Sequence, residues 1–231
     1  MSETSADFYL LLWQTNNATF ASMLSSRGMA QPKLVNINEY AVFNEQVASG
    51  AAWWISRLER YDAVGLRGNW LSGYQLHDLL ASLLTKPGMP NSYSYTDANY
   101  VPNGEWQVYK YYNMNMTGTR VKTTGTGDRI MDVYSTIGSD KVRTLCGTRL
   151  QTGTWYITIN KLSAIGLPTS GTLNIHTYGF VDAGHYGQVD APTDRGYYTH
   201  TYSGDSVTFA VYQTQQDQFT AWGFEFALNG K

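Results

Sequence analysis

The chain is short of charge and of cysteine. Charged residues make up 15% of its 231 positions, and 16 Lys and Arg stand against 18 Asp and Glu, for a formal net charge of -2. So balanced a set builds no polycationic face, which argues against nucleic acid and against anionic membrane surfaces as partners. Cys146 is the one cysteine, so an intramolecular disulfide and any cysteine-built metal site are excluded. No apolar run is long enough to span a bilayer. Met1-Ser2-Glu3-Thr4 lacks the basic start and apolar core of a signal peptide, so the expectation is either an intracellular protein or one whose true beginning lies upstream. A glycine-rich phosphate loop and a serine or cysteine nucleophile motif are also missing. His77, His176, His185 and His200 stand without clustered acids or close spacing, so neither a metal nor a cofactor is expected.

Aromatic residues are abundant: they reach 14%, with 18 Tyr and 7 Trp. Such a chain stays soluble through hydroxyls and amides, as extracellular β proteins and sugar-stacking surfaces do, although most of these rings simply suit strands and cores. Asn17-Ala18-Thr19 and Asn115-Met116-Thr117 are glycosylation acceptors if the chain passes through a secretory pathway.

Helical spacing of Phe8, Leu11, Leu12, Phe20, Met23 and Leu24 predicts helix between Asp7 and Met29, broken at Asn16-Asn17 and capped at Gly28. A strand follows from Leu34 to Asn38. Alternation groups Val35 and Ile37 with Glu39, filling a barrel core beneath it, and turns Asn36 and Asn38 to the helical layer. Phe43 to Tyr61 reads as an amphipathic helix, with Asn44-Glu45 on its surface and Trp53 and Trp54 packing. Asp62 to Arg67 is a second short strand, so strand, helix and strand form the parallel unit of an α/β protein. Gln75 to Thr85 reads as a helix, Met89 to Asn103 as a long loop, and Glu105 to Met116 as a helix with Trp106, Tyr109, Tyr112 and Met116 along one stripe. After Gly118 the pattern alternates in eight short runs between turns, from Arg120–Lys122 to Thr220–Leu228, which predicts an antiparallel sandwich. The expected domains are therefore 1–117 and 118–231, an α+β multidomain chain.

Asn36-Ile37-Asn38-Glu39-Tyr40, Gly65-Leu66-Arg67-Gly68-Asn69-Trp70 and the run from Asn103-Gly104-Glu105-Trp106 to Tyr112 carry a resemblance to a known family. In order and content they resemble the C-terminal half of a clan A glycoside hydrolase, of the fungal type grouped with family 39. The resemblance implies the last strands of a truncated (β/α)8 TIM barrel followed by an accessory β-sandwich. It places Glu39 at the end of the seventh barrel strand as the nucleophile of a retaining glycosidase. It also implies that the acid/base glutamate, at the end of the fourth strand, lies upstream of Met1, so that this chain alone is expected to be inactive. Trp70 is then placed to stack on a pyranose, Arg67 and Asn69 to hydrogen-bond sugar hydroxyls or hold Glu39 ionised, and Tyr40 to border the site. The partner is a carbohydrate and the parent protein is secreted. The alternative is a non-catalytic carbohydrate-binding or structural β-sandwich with a barrel remnant. The sugar, its linkage and the oligomeric state do not follow from the sequence.

Overall fold

Residues 18–26 form helix α1, which Gly28 closes at φ +66°. Gly28 N–H donates to Ser25 O and Met29 N–H to Leu24 O, the bond pair of a Schellman cap. The computed structural model describes residues 18–30, 35–67, 83–85 and 100–228. The helix expected before Asn16, most of the one expected over Gln75–Thr85, and most of the Met89–Asn103 loop lie outside those residues.

Strand β1 (Val35–Tyr40), helix α2 (Ala48–Arg60) and strand β2 (Ala63–Arg67) follow in order, with β1 and β2 paired in parallel. The helix expected from Phe43 begins later. Phe43–Glu45 is a single 3-10 turn, and Val47 enters α2 extended, without a side-chain cap. Ser49 anchors this helix start instead: its Oγ donates to Thr148 O at 3.0 Å and accepts from Thr148 N–H at 2.8 Å. Leu84 and Thr85, expected at the end of a helix, form strand β3 against strand β4 (Val101–Pro102).

Helix α3 (Gly104–Asn115) is capped by Asn103, whose Oδ1 accepts from Trp106 N–H at 2.9 Å. Its buried line runs through Glu105, Val108 and Tyr111; of the expected stripe of Trp106, Tyr109, Tyr112 and Met116, Met116 joins that core while the three rings are only partly buried. The reason is packing: Val108 and Tyr111 meet α2 and Phe180 in one core, while Tyr109 and Tyr112 sit at its margin and place their hydroxyls against Tyr40 and Glu59.

All eight runs expected after Gly118 are strands: β5 (Thr119–Arg120), β6 (Met131–Ile137), β7 (Lys141–Thr148), β8 (Gly153–Asn160), β9 (Gly171–Phe180), β10 (Thr193–Tyr202), β11 (Ser206–Gln213) and β12 (Ala221–Ala227). Six form an antiparallel sheet in the order β10-β9-β12-β7-β6-β5, and β11 pairs with β8. Both faces of the larger sheet are covered. Met131, Val142, Ile175 and Phe224 on one face share a core with Ile157, Val207 and Phe209 of the β8–β11 pair. Tyr134, Leu145, Phe180 and Ala221 on the other face pack against α2 and α3. Strand β7, at the centre, is accordingly buried along nearly its whole length.

The α2 contact is close because Gly147 faces it. A Cβ on Gly147 would stand 2.9 Å from the Ala52 Cβ and collide with the Ser49 carbonyl. Gly147→Ala is therefore expected to force α2 off the sheet and cost about 1–3 kcal/mol, read as a lowered midpoint in urea with an unchanged slope; unchanged stability would show that α2 does not rest there. Charge fixes the same junction. Asp132 on β6, fully buried, accepts hydrogen bonds from both terminal nitrogens of Arg60 and is ion-paired with Arg57, whose Nε stands 2.7 Å from Oδ2.

Candidate active site

Tyr40 ends β1, Arg67 ends β2, and the two are in register across the parallel pair. Glu39 is the residue before Tyr40, so its backbone lies at the C-terminal end of β1, where parallel α/β units present functional groups. The register slips just there. Ile37 pairs with Gly65 and Tyr40 with Arg67, so three steps along β1 match two along β2. The extra residue makes a bulge at Asn38-Glu39, and bulges are enriched beside active sites, where they re-aim a side chain.

The bulge corrects the simple alternation. Ile37 packs with Tyr40, Trp53 and Trp54, so it belongs to the helical layer and not to a core beneath Glu39, and Asn36 is exposed. Strict parity cannot put Ile37 and Tyr40 on one face; the inserted residue can. Ala41 follows at φ +63°, left-handed for a residue with a Cβ, and Gln46 Nε2 holds its carbonyl at 3.0 Å.

Behind the strand ends lies a buried polar cluster. Arg67 Nε donates to Glu105 Oε1 at 2.6 Å and Nη2 to Oε2, a two-point contact with side-chain exposures of 6% and 1%. The Tyr40 and Tyr109 hydroxyls share a hydrogen bond of 3.0 Å beside this pair. Burial pushes the Glu105 carboxyl up to about 7, with Arg67 pulling the other way and Asp182 adding to the rise. Glu105 raises the Arg67 guanidinium against its own burial. The two shifts describe one pair from both ends: the cation gains more from its partner than burial removes, while the carboxylate loses more by burial than it gains. The forked geometry makes it an ion pair above pH 7. Burial also raises Tyr40 and Tyr109, so both hydroxyls stay protonated, one donating to the other.

The segment after β9 braces this end of the molecule. Asn103 Nδ2 donates to His185 O at 3.1 Å, and Gln107 Nε2 to Val189 O at 2.6 Å. The His185 ring stacks on Phe43 at 4.1 Å and 12°, and its Nε2–H donates to Phe43 O at 2.6 Å. Glu45, expected on the surface, is buried: Oε1 accepts from Arg149 Nη2 at 2.7 Å and Oε2 from Trp54 Nε1 at 3.2 Å. The strand geometry thus brings Tyr40 and Arg67 together at the C-terminal ends of β1 and β2, whereas the side chain of Glu39 and all of Asn69 and Trp70 lie outside the described residues. Among the described residues no group of three His, Cys, Asp or Glu is placed to hold a metal.

Sequence reasoning missed Glu105 and Tyr109 as members of this cluster. Glu105 looks like an ordinary acid in the first turn of a helix, stabilising by position. Nothing in the spacing of the chain signals a partner 38 residues away.

No protein-family model matches the chain, and no curated protein matches it. Among solved structures, N2152 from Neocallimastix frontalis superimposes with a TM-score of 0.71 at 17% identity, over 93% of this chain and 50% of that one. Weaker likenesses include a β-porphyranase of glycoside hydrolase family 86 from Bacteroides plebeius, with a TM-score of 0.47 at 10% identity over 90% of this chain and 36% of that one. The GH51 α-L-arabinofuranosidase from Thermotoga petrophila gives 0.46 at 11% identity, over 97% and 50%. The chain therefore shares the fold of N2152 and spans about half of its length.

Proposed function

We propose that this chain is the C-terminal portion of a retaining glycoside hydrolase. Glu39 is its nucleophile, on the last strands of a (β/α)8 barrel, and the residues from Gly118 onward form an accessory β-sandwich. The observation that carries this reading is the bulge at Asn38-Glu39, at the C-terminal end of a parallel strand and directly before Tyr40, which pairs with Arg67. It supports the resemblance of the Asn36–Tyr40 motif to a glycosidase nucleophile strand. In such a reaction the carboxylate attacks the anomeric carbon, the glycosidic oxygen departs with a proton from a second carboxyl group, and water then opens the glycosyl ester. In this reading Trp70 supplies the stacking face, Asn69 hydrogen-bonds sugar hydroxyls and Tyr40 borders the site, while Arg67 is held by Glu105 and braces the strand ends.

Leaving groups test the division of labour between the two acids. A dinitrophenolate departs without protonation and an alkoxide does not, and a general acid contributes about 10²–10⁴-fold. The chain alone is expected to cleave dinitrophenyl glycosides slowly, with Glu39→Gln abolishing the reaction, and to leave methyl glycosides intact. Turnover of methyl glycosides would place the acid within these residues, and dinitrophenyl hydrolysis indifferent to Glu39→Gln would remove Glu39 from the chemistry.

A second reading, sugar binding without catalysis, is favoured by tyrosines on the β-rich part that stand open to solvent: Tyr156 at 69%, Tyr197 at 68%, Tyr212 at 64% and Tyr198 at 54% exposure.

A further inference from the structure

Strands β10 and β11 are the adjoining edges of the two sheets, and a groove of about 340 Å³ runs along the seam between them. That volume lies at the low end of small-molecule sites, about 300–1,000 Å³. Phe209, Phe224 and Trp222 form its floor, Tyr198 and Tyr212 flank it, and Arg195 closes one end with its guanidinium 5.6 Å from the Trp222 ring.

The two flanking tyrosines differ from their neighbour Tyr197, whose ring is stacked on His176 at 4.1 Å. Among the described residues neither Tyr198 nor Tyr212 has a ring partner, and both are more than half exposed. Tyr212 lies opposite Thr154 and Tyr156 opposite Ala210, so Tyr156 is the diagonal neighbour of Tyr212 on the outward face of the β8–β11 pair. The open rings thus continue from the groove onto the sheet. The groove carries little free charge. Arg195 is paired with Asp217 at 3.2 Å, and burial holds His200 below the ordinary imidazole value.

Flat aromatic faces beside hydroxyls, with the local charge neutralised, match an uncharged ligand that has apolar C–H faces and a hydroxyl rim. Charged and nucleic-acid ligands find no complement here. The geometry points to a saccharide-binding groove between β10 and β11, separate from Glu39, that takes a neutral pyranose chain with equatorial β-1,4 linkages on Tyr198 and Tyr212. Such chains present the most continuous C–H faces to stacked rings. The choice of sugar rests in part on the glycosidase reading, but the groove does not involve Glu39.

The test is calorimetric titration of the whole chain with cellohexaose and with xylohexaose, on wild type, Tyr198→Ala, Tyr212→Ala and Glu39→Gln. At least one hexasaccharide is expected to bind wild type and Glu39→Gln equally. Each tyrosine variant is expected to weaken that binding about tenfold, the equivalent of one lost stacking contact. Thermal unfolding of the variants should match wild type, because both side chains are exposed. Binding of neither hexasaccharide would overturn the inference, whatever Glu39 does. Binding lost in Glu39→Gln but unchanged in both tyrosine variants would also overturn it while leaving the glycosidase reading intact.

Discussion

Replacing Arg67 with alanine is expected to lower stability by about 3–5 kcal/mol at pH 8, because the forked contact with Glu105 is buried on both sides. Above pH 7 the loss leaves a carboxylate enclosed without this cation, which is the costly way to break such a pair. The pH dependence follows from the Glu105 carboxyl, whose value in the fold is about 7. That lies above its ordinary value, so the folded state binds the proton more tightly than the unfolded state does. Below about pH 4 both states are protonated and the group contributes nothing. As pH rises to 7 the unfolded chain ionises first and stability falls, by on the order of 3 kcal/mol; above 7 the contribution is flat. Glu105→Gln removes the titration, so its stability should not follow this fall between pH 5 and 8. The Arg67→Ala penalty should shrink at pH 5, where Glu105 is protonated in the fold. Replacing both with Arg67→Met and Glu105→Leu should recover most of the loss. Urea denaturation at the two pH values reads all of this, and an Arg67→Ala penalty that is the same at both would remove Glu105 as its cause.

The second large effect is expected at Trp53, 1% exposed on α2. Its Nε1 donates to Arg129 O at 3.1 Å, and the guanidinium groups of Arg57 and Arg149 lie 4.9 Å from its ring centre on α2 and on the β-rich side respectively. Trp53→Ala should cost about 3–5 kcal/mol through the cavity it leaves. Because α2 and α3 share one core with the six-stranded sheet, fluorescence and far-ultraviolet dichroism are expected to report a single transition in wild type. In Trp53→Ala the residues before Gly118 should lose order first. Two separated transitions in wild type would mean that the halves fold independently of this core.

The strands after Gly118 were legible because alternation survives wherever one face of a strand is wet; β8 and β11 are of this kind. Strand β7, covered on both faces, shows its type through its neighbours and turns more than through alternation. Parity around Glu39 was not legible, since a bulge is one residue of backbone slip that no composition announces. Glu45 was misplaced for a related reason: Asn44-Glu45 looks like a solvated helix start, and the approach of Arg149 from the far strand end, with the Trp54 indole on the other oxygen, makes burial of its carboxylate tolerable. Tyr40 and Arg67 were placed at the strand ends by their motifs, but the partner of Arg67 comes from α3 and depends on how that helix packs. Local pattern thus specified the elements, and long-range pairing specified the polar cluster at the ends of β1 and β2.

The central claim is that Glu39 forms a covalent bond to sugar. Its most direct test is intact and peptide mass spectrometry after incubation with dinitrophenyl 2-deoxy-2-fluoroglycosides of xylose, glucose and galactose. Their leaving group needs no acid, and the fluorine slows hydrolysis of the ester. The account predicts one added glycosyl unit on the peptide that contains Glu39, with no addition to Glu39→Gln. An unlabelled chain with all three reagents, or a label on any other carboxylate, would contradict it.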